Sequence, residues 1–417
     1  MNRVNNKRKE LGDMTDQLDN LANRDIKQPR IQAKHMLPDL DTKLKDQNEK
    51  AVPRNFYLQN VHPWLAMYKH DFVTTHMSYD KFCTLLSDDN EHNLFQFLTD
   101  LRLLNTCQQC KNCGGSMRKS KQGNVWYWIC TRRANGIKCN NHKFSIRKGT
   151  FFDKSKLSIQ LQLRIIWNFI HRLSITQCKN FCNVSSMTDH TLGEIYADCR
   201  NICTAWIWKP EHTPKLGGYG KIVEMDESFF PGAPKFNRGR RLGTSWDDED
   251  KWTFGLTERG SLDCILKQVP SSRSRKSLLP IINQYTLQGT LFCSDGWKAY
   301  FKLAEHLDIE DALHFPVNHS KNYVDADTGA HTQTIEGLWG HVKDFLSVRG
   351  MKPKDLGSFL GWFMWWRYSR QRDLDLFVHF LKCAAEIRPP SHFSKLPFAT
   401  AQTLNERKNS NSDEDFL

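Results

Sequence analysis

Two short apolar segments, each followed by an aspartate, set the strongest limit on how this chain folds. The first contains Ile222, Val223 and Met225 and leads into Asp226 and Glu227, and the second spans residues 290–294 and leads into Asp295. Apolar, partly β-branched runs of this length predict buried strands. A carboxylate at the end of a buried strand needs a partner, because burying an unpaired charge is costly. A strand-end turn would explain one such aspartate, but the repeat favours metal ligands held on rigid elements.

A third carboxylate lies on a helix further along the chain. Apolar residues recur at helical spacing from residue 335 to residue 346, and Glu336 falls in the first turn of this predicted helix. There it is near the positive end of the helix dipole and can point at a neighbouring sheet. Lys343 follows two turns later on roughly the same side. Alone, Glu336 is an ordinary first-turn glutamate, so its meaning depends on the two aspartates.

The predicted elements around these carboxylates follow a known order. Strands are predicted over residues 252–256, 264–269 and 314–318, and a short helix over residues 278–285. Strand with Asp, strand, strand, helix, strand with Asp and helix with Glu is the order of a ribonuclease-H-like domain, an α/β fold with a mixed sheet flanked by helices. Three carboxylates from separate elements can bind two Mg²⁺ or Mn²⁺ ions roughly 4 Å apart, because hard divalent ions prefer oxygen ligands.

A cysteine cluster precedes this domain and predicts a structural zinc site. Cys110 and Cys113 form a CxxC pair followed by two glycines, and Cys130 and Cys139 follow across an apparent strand at residues 125–129. Four thiolates suit tetrahedral Zn²⁺ and leave no open position for catalysis. The second pair is spaced more widely than usual, so Cys107 or His142 could replace one ligand. Free buried thiols are the alternative interpretation.

Three predicted helices connect the cysteine cluster to the first strand. They cover residues 157–170 and 175–181 and a stretch from residue 188 to about residue 203. A short middle helix between two longer ones is typical of a helix-turn-helix that binds DNA; a plain helical linker is the alternative. The Pro- and Gly-containing residues 210–220 then mark a domain boundary.

The charge and composition of the chain limit the kinds of partner that it is expected to bind. The 417-residue chain carries a net charge of +13, which favours a polyanionic partner such as nucleic acid over an anionic membrane surface. No apolar run is long enough to span a bilayer, and no signal peptide is expected at the polar N-terminus. The 13 cysteines are scattered rather than arranged as a disulfide framework, which favours a reducing compartment.

We therefore predict six segments. They are a disordered polar and basic tail (1–75), a short helical segment (76–106), a zinc ribbon (107–152), a helical, helix-turn-helix-like region (153–209), a ribonuclease-H-like domain (218–385) that ends in a packing helix near residues 354–380, and a polar C-terminal tail (386–417).

Several motifs in this order resemble one family. The matching pieces are Val223-Glu-Met-Asp226-Glu-Ser, Phe236-Asn-Arg-Gly-Arg, Ser294-Asp295-Gly-Trp-Lys-Ala-Tyr, Val317-Asn-His-Ser-Lys-Asn and Thr328-Gly-Ala-His-Thr-Gln-Thr-Ile-Glu336-Gly-Leu-Trp. Together they resemble the Merlin superfamily of cut-and-paste DNA transposases and their bacterial insertion-sequence relatives with an ISXO-like DDE domain. The likeness covers roughly residues 80–370, including the cysteine cluster.

The resemblance implies roles for residues and partners. It implies that Asp226, Asp295 and Glu336 are a catalytic triad that holds Mg²⁺, and that Lys343 matches a lysine of this group. Further basic residues expected to contact DNA are Lys235, Arg238, Arg240, Arg241 and Lys321. The resemblance also implies binding to terminal inverted repeats, double-stranded transposon ends and target DNA as substrates, and a homodimer or higher multimer.

The expected function is Mg²⁺-dependent DNA cleavage and strand transfer. One alternative is a domesticated, transposase-derived DNA-binding protein without catalysis, and another is a zinc-ribbon nuclease without strand transfer. DNA as the substrate implies the nucleus if the source is eukaryotic, or the cytoplasm and nucleoid if it is bacterial.

Overall fold

The computed structural model describes residues 76–87, 90–123, 125–134, 137–139, 143–153, 155–230, 252–317, 324–325, 328–346 and 355–390. These residues divide into two compact units. The described residues from Pro214 to Leu356 form one, here called the sheet unit, and those from His76 to Thr213 and from Gly357 onward form the other, here called the helical unit. Both predicted tails, apart from residues 386–390, lie outside the described ranges. Among the described helices, none is both long and apolar enough to cross a membrane.

The helical unit begins with two helices and a small antiparallel sheet. Its elements are α1 (Tyr79–Leu85), α2 (Glu91–Asp100), β1 (Arg118–Gln122), β2 (Val125–Ile129), β3 (Arg133–Ala134), β4 (Ile137–Lys138) and β5 (Lys143–Ser145). The order β1-β2-β5 forms a three-stranded sheet, and β3 pairs with β4. The predicted strand at residues 125–129 is therefore the centre of this sheet.

Three helices follow, with the short middle one that the spacing predicts. They are α3 (Ile159–Ile170), α4 (Ile175–Cys182) and α5 (Asp189–Ile207). Each begins after a hydroxyl side chain that accepts a backbone N–H in the first turn, from Ser158, Ser174 and Thr188, as favoured N-cap residues do. The apolar residues Leu163, Ile166 and Phe169 of α3 are buried.

The sheet unit contains seven strands and two longer helices. They are β6 (Leu216–Gly217), β7 (Ile222–Phe229), β8 (Trp252–Glu258), β9 (Cys264–Val269), α6 (Arg275–Tyr285), β10 (Thr286–Leu287), β11 (Leu291–Asp295), β12 (Leu313–Val317) and α7 (Gln333–Leu346). The main sheet has the order β12-β11-β7-β8-β9. β11 is parallel to β7 and β12, whereas β8 is antiparallel to both β7 and β9. The predicted mixed sheet is present.

Helices α6 and α7 pack against this sheet. Val223, Met225, Phe254 and Phe292 are fully buried within it, and burying each such side chain contributes about 1.5–3 kcal/mol. Helix α7 contacts β7 and β8, and α6 contacts β9. Since successive strand residues point to opposite faces, this alternation turns Asp226 and Glu227 to different sides.

One strand boundary differs from the sequence prediction. The acidic pair does not end the strand: β7 continues through Asp226 and Glu227 to Phe229, paired along its length with β8. Both carboxylates remain partly exposed while their neighbours are buried. The apolar run ends at Met225, but the backbone of residues 226–229 still pairs with β8. An apolar pattern in the sequence does not reveal this pairing.

The chain after the sheet forms two helices, where the sequence predicted one. α8 spans Leu356–Gln371 and α9 spans Leu376–Ile387. The break lies at Asp373, whose φ of 49° is left-handed, and Asp375 caps α9 through the Val378 N–H at 2.8 Å. Both helices group almost entirely with the helical unit, whereas the predicted sheet domain extended to residue 385.

Candidate active site and metal centre

The parallel pairing of β7 and β11 brings the two predicted aspartates to one level. Leu291 lies opposite Ile222, and Cys293 lies opposite Glu224. Continued by two residues, this register sets Asp295 opposite Asp226, on strands about 4.8 Å apart. The side chains of such a pair point to the same face, so the two carboxylates lie side by side.

Helix α7 brings Glu336 to the same face through a buried carboxylate, Glu224. Glu224 accepts hydrogen bonds from the Thr334 hydroxyl at 2.9 Å and from the Ile335 backbone N–H at 3.0 Å. These groups belong to the first turn of α7, where backbone N–H groups lack partners within the helix. Glu224 therefore fixes the start of α7 on β7, two residues before Asp226.

The charge of Glu224 is compensated inside the sheet unit. The side chain is fully buried and pairs with the Arg259 guanidinium at 2.6 Å, and Arg259 also donates to the His331 carbonyl at 3.0 Å. A buried carboxylate is tolerated only with such a partner. Arg259 thereby links β8 to both β7 and the segment leading into α7.

One helical turn after Glu336, Trp339 joins α7 directly to Asp226. The indole N–H donates to Asp226 Oδ2 at 3.0 Å. The ring fits because Gly255 lies opposite Asp226 on β8; a Cβ at Gly255 would lie 2.7 Å from the Trp339 ring. Glu336 is thus held between two contacts that tie its helix to the strand bearing Asp226.

The charges of Asp295 and Glu336 act on Asp226. The pKa of Asp226 is raised, first by burial and then by the negative charges of Asp295 and Glu336, although the hydrogen bonds from the Glu227 backbone N–H and Trp339 oppose this. Mutual repulsion of this kind is relieved by a cation, and an all-oxygen donor set suits hard divalent ions. The residues present therefore fit Mg²⁺ or Mn²⁺.

Each carboxylate also has a hydrogen-bond donor that orients it. Trp339 donates to Asp226, and the Trp297 backbone N–H donates to Asp295 Oδ1 at 3.1 Å. The Thr332 hydroxyl donates to Glu336 Oε1 at 3.0 Å.

Glu227, which sequence reasoning left without a role, faces the opposite side of the sheet. Burial raises its pKa to about 7, with further raising by the charges of Asp226 and Asp295, against the hydrogen bond from Tyr300 and the positive charge of Arg273. The Tyr300 hydroxyl donates to Glu227 Oε1 at 2.5 Å. This contact ties the turn that follows Asp295 to β7. In the sequence, the one feature that pointed to a role for Glu227 was its place in the acidic pair with Asp226.

The basic residues predicted to bind DNA are only partly described. Lys343 is exposed on α7, two turns after Glu336. Lys235, Arg238, Arg240, Arg241 and Lys321 lie outside the described residues.

The helical unit brings four predicted thiols together. The Sγ atoms of Cys110, Cys113, Cys130 and Cys139 all lie within 4.8 Å of one another, with 3.6 Å between Cys110 and Cys139 and 3.5 Å between Cys113 and Cys130. This group could hold Zn²⁺, which prefers four thiolates. Cys107, the predicted substitute, is exposed and outside the group; His142 lies outside the described residues.

The loop around the CxxC pair explains how the thiols converge. The Gly114 N–H donates to the Cys110 carbonyl at 2.8 Å, and Gly114 has a φ of 66°, a left-handed conformation that glycine adopts at little cost. The pKa of Cys139 is raised to about 12, first by its hydrogen bond with Cys110 and then by burial. A bound cation would offset this crowding of sulfur atoms.

Comparison with protein families agrees with this geometry. Residues 215–365 match the family described as an ISXO2-like transposase domain, and this range covers nearly all of the sheet unit with its three carboxylates. The match supports a DDE transposase family, whose members use divalent metal ions in nuclease and transferase chemistry. No curated protein gives a significant match to the chain.

Proposed function

We propose that the protein is a DNA transposase of the Merlin type, with a ribonuclease-H-like domain that cleaves DNA and transfers strands. The observation that carries this proposal is the convergence of Asp226, Asp295 and Glu336 on one face of the sheet, where the charges of Asp295 and Glu336 act on Asp226. Structural ion pairs bring acids and bases together, whereas three mutually repelling carboxylates call for cations.

The side chains of this site would act as a rigid ligand set. Asp226, Asp295 and Glu336 would hold two divalent ions, which supply activation of a water or 3′-hydroxyl nucleophile and stabilisation of the leaving oxygen at a phosphate. Trp339, Trp297 and Thr332 keep the three carboxylates oriented through the hydrogen bonds described above. Preoriented ligands lower the reorganisation needed for catalysis.

The remaining assignments follow from the same proposal. The cysteine group would hold one structural Zn²⁺, and helices α3–α5 would contribute a helix-turn-helix-like DNA contact. Terminal inverted repeats and target DNA would be the substrates of a homodimer or higher multimer. With DNA as its substrate, the protein would work in the nucleus of a eukaryote or the nucleoid of a bacterium.

A cleavage and joining assay tests the proposal. The substrate is the genomic DNA that flanks the gene on both sides, including any inverted repeats, incubated with full-length protein and Mg²⁺ or Mn²⁺. We expect Asp226→Asn, Asp295→Asn and Glu336→Gln each to abolish cleavage while DNA binding persists. The exposed Glu310 provides a control, Glu310→Gln, that keeps full activity.

The alternatives predict different products. Nicking without joining by the wild-type protein would favour a nuclease, and binding without either reaction would favour a domesticated DNA-binding protein. Near-normal strand transfer by any one triad variant would remove that residue from the site.

A further inference from the structure

Arg273 is a second arginine of the sheet unit, and its contacts differ from those of Arg259. Arg273 lies in the turn between β9 and α6, where its backbone N–H donates to the Pro270 carbonyl at 3.0 Å. Its φ of 41° is left-handed, a strained conformation for a residue with a side chain, and such strain clusters at functional sites.

Two indoles fix the guanidinium group of Arg273. Its central carbon lies 3.8 Å from the ring centroid of Trp252 and 4.7 Å from that of Trp297. Cation–π contacts of this kind hold the plane of the group and leave the N–H donors at its edge available. Trp252 belongs to β8, and Trp297 follows Asp295 by two residues, so both rings are anchored close to the site.

One donor of Arg273 is unsatisfied among the described residues. Its Nε is buried and has no acceptor among the residues that the structure describes. Arg275, two residues later, provides the contrast: it donates to the carbonyls of Ala299 at 3.1 Å and Phe301 at 2.6 Å. Arg275 therefore holds the loop after Asp295 in place, whereas the contacts that the structure describes for the guanidinium of Arg273 are with the two rings.

The position of Arg273 relates it to the acidic site. Its charge acts on Glu227, the neighbour of Asp226, and it contacts Trp297, whose N–H orients Asp295. Trp252 lies opposite Phe229, on the same face of the sheet as Glu227, so Arg273 lies across the sheet from Asp226 and next to the turn that follows Asp295. An anionic ligand that approaches the three carboxylates meets repulsion from them, which a fixed guanidinium at this turn offsets. Phosphate oxygens match the planar donors of arginine in charge and geometry.

We propose that Arg273, held against Trp252 and Trp297, binds a backbone phosphate of the DNA strand that occupies the carboxylate site. This inference rests on the proposed function, because it takes DNA as the substrate. It adds a substrate-binding residue from the β9–α6 turn, a segment that the sequence motifs did not include.

Salt-dependent DNA binding tests the inference. Full-length protein is titrated against a fluorescent 30-base-pair duplex of random sequence without added Mg²⁺, at salt concentrations between about 50 and 200 mM. Each lost phosphate contact lowers the slope of log K against log salt by about 0.9, so Arg273→Gln reduces the affinity change across this range by about 3.5-fold relative to wild type.

Two further variants separate phosphate binding from loop support. Arg273→Lys keeps the charge and is expected to keep the wild-type slope, although its planar contact with the indoles is lost. Lys276→Gln removes a charge from an exposed residue three positions away and is expected to leave the slope unchanged.

The outcomes are distinguishable. An unchanged slope in Arg273→Gln, a lowered slope in Arg273→Lys, or an equal loss in Lys276→Gln would overturn this inference alone. If Arg273→Gln does not fold, Arg273→Met replaces it, because Met removes the charge and keeps an aliphatic chain between the two indoles; an unchanged slope in that variant overturns the inference. Failure of the wild-type protein to bind the duplex at the lowest salt would overturn the proposed function and this inference with it.

Discussion

Replacing Glu224 with alanine should loosen helix α7 and the site together. Glu224 is fully buried, holds the first turn of α7 and compensates Arg259. Removing one partner of a buried ion pair costs about 3–5 kcal/mol, because the other charge stays buried without compensation. Loss of the acceptor at the start of α7 costs about 1 kcal/mol. The two effects overlap, so the expected loss in the free energy of unfolding is about 4 kcal/mol in all.

The magnitude can be converted into a melting temperature. A loss of about 4 kcal/mol in a unit of this size lowers Tm by roughly 2–4 °C per kcal/mol, or about 8–16 °C in all. Glu224→Gln keeps the shape and one acceptor but loses the charge, so we expect about half this effect. In both variants Mg²⁺ affinity falls, since Glu336 depends on α7 for its position.

Circular dichroism melting and Mg²⁺ titration calorimetry on the full chain measure both effects. The control is Glu305→Ala, which removes an exposed pair with Lys302 at 3.4 Å; exposed pairs contribute about 0–1 kcal/mol. If Glu224→Ala melts within about 2 °C of this control, or binds Mg²⁺ as the wild type does, the argument that Glu224 positions α7 is refuted.

Three other perturbations test separate parts of the structure. Cys110→Ser should abolish retention of one Zn²⁺ per chain, measured by metal analysis of purified protein; wild-type protein without zinc would contradict the site. Gly255→Ala should cost about 1–3 kcal/mol by forcing the Trp339 ring away from Asp226, and an unchanged Tm would show that the helix moves freely. The pKa of Glu386 is lowered to about 2 because hydrogen bonds from His212, Lys209 and Trp206 outweigh the raising effect of burial. This contribution to stability is complete above the usual pKa of 4.5 and is lost as the pH falls towards 2. Glu386→Gln should therefore flatten the decline of Tm between pH 5 and pH 2, and a parallel decline in both proteins would refute its role.

The sequence predicted the elements better than the contacts between them. Short apolar runs and helical spacing were sufficient to find β7, β11 and α7, since these patterns depend on local burial. Glu224 lies within the same apolar run, where an acid signals a buried partner, but the sequence prediction gave it no role. The partners Arg259 and Ile335 lie far along the chain, and only the strand register and helix placement reveal them.

The turn between β9 and α6 marks a second limit of sequence analysis. Arg273 belongs to a polar, serine-rich stretch that carries no periodic pattern, and its contacts with Trp252 and Trp297 depend on three separate elements. Gly255 is a similar case, because its need to lack a Cβ arises from an indole on α7. Both residues acquire meaning only from tertiary neighbours.

The alternation of side chains along β7 has a consequence for how the gene tolerates change. Glu224 and Asp226 point to one face of the strand and Glu227 to the other, so inserting or deleting a single codon between Glu224 and Asp226 would turn Asp226 and Glu227 to the wrong faces. A change in length at this point has no tolerated outcome, because adjacent residues of β7 make required contacts on both faces of the sheet. We therefore expect length variation in this domain to be confined to its loops, with this short acidic stretch kept at fixed length.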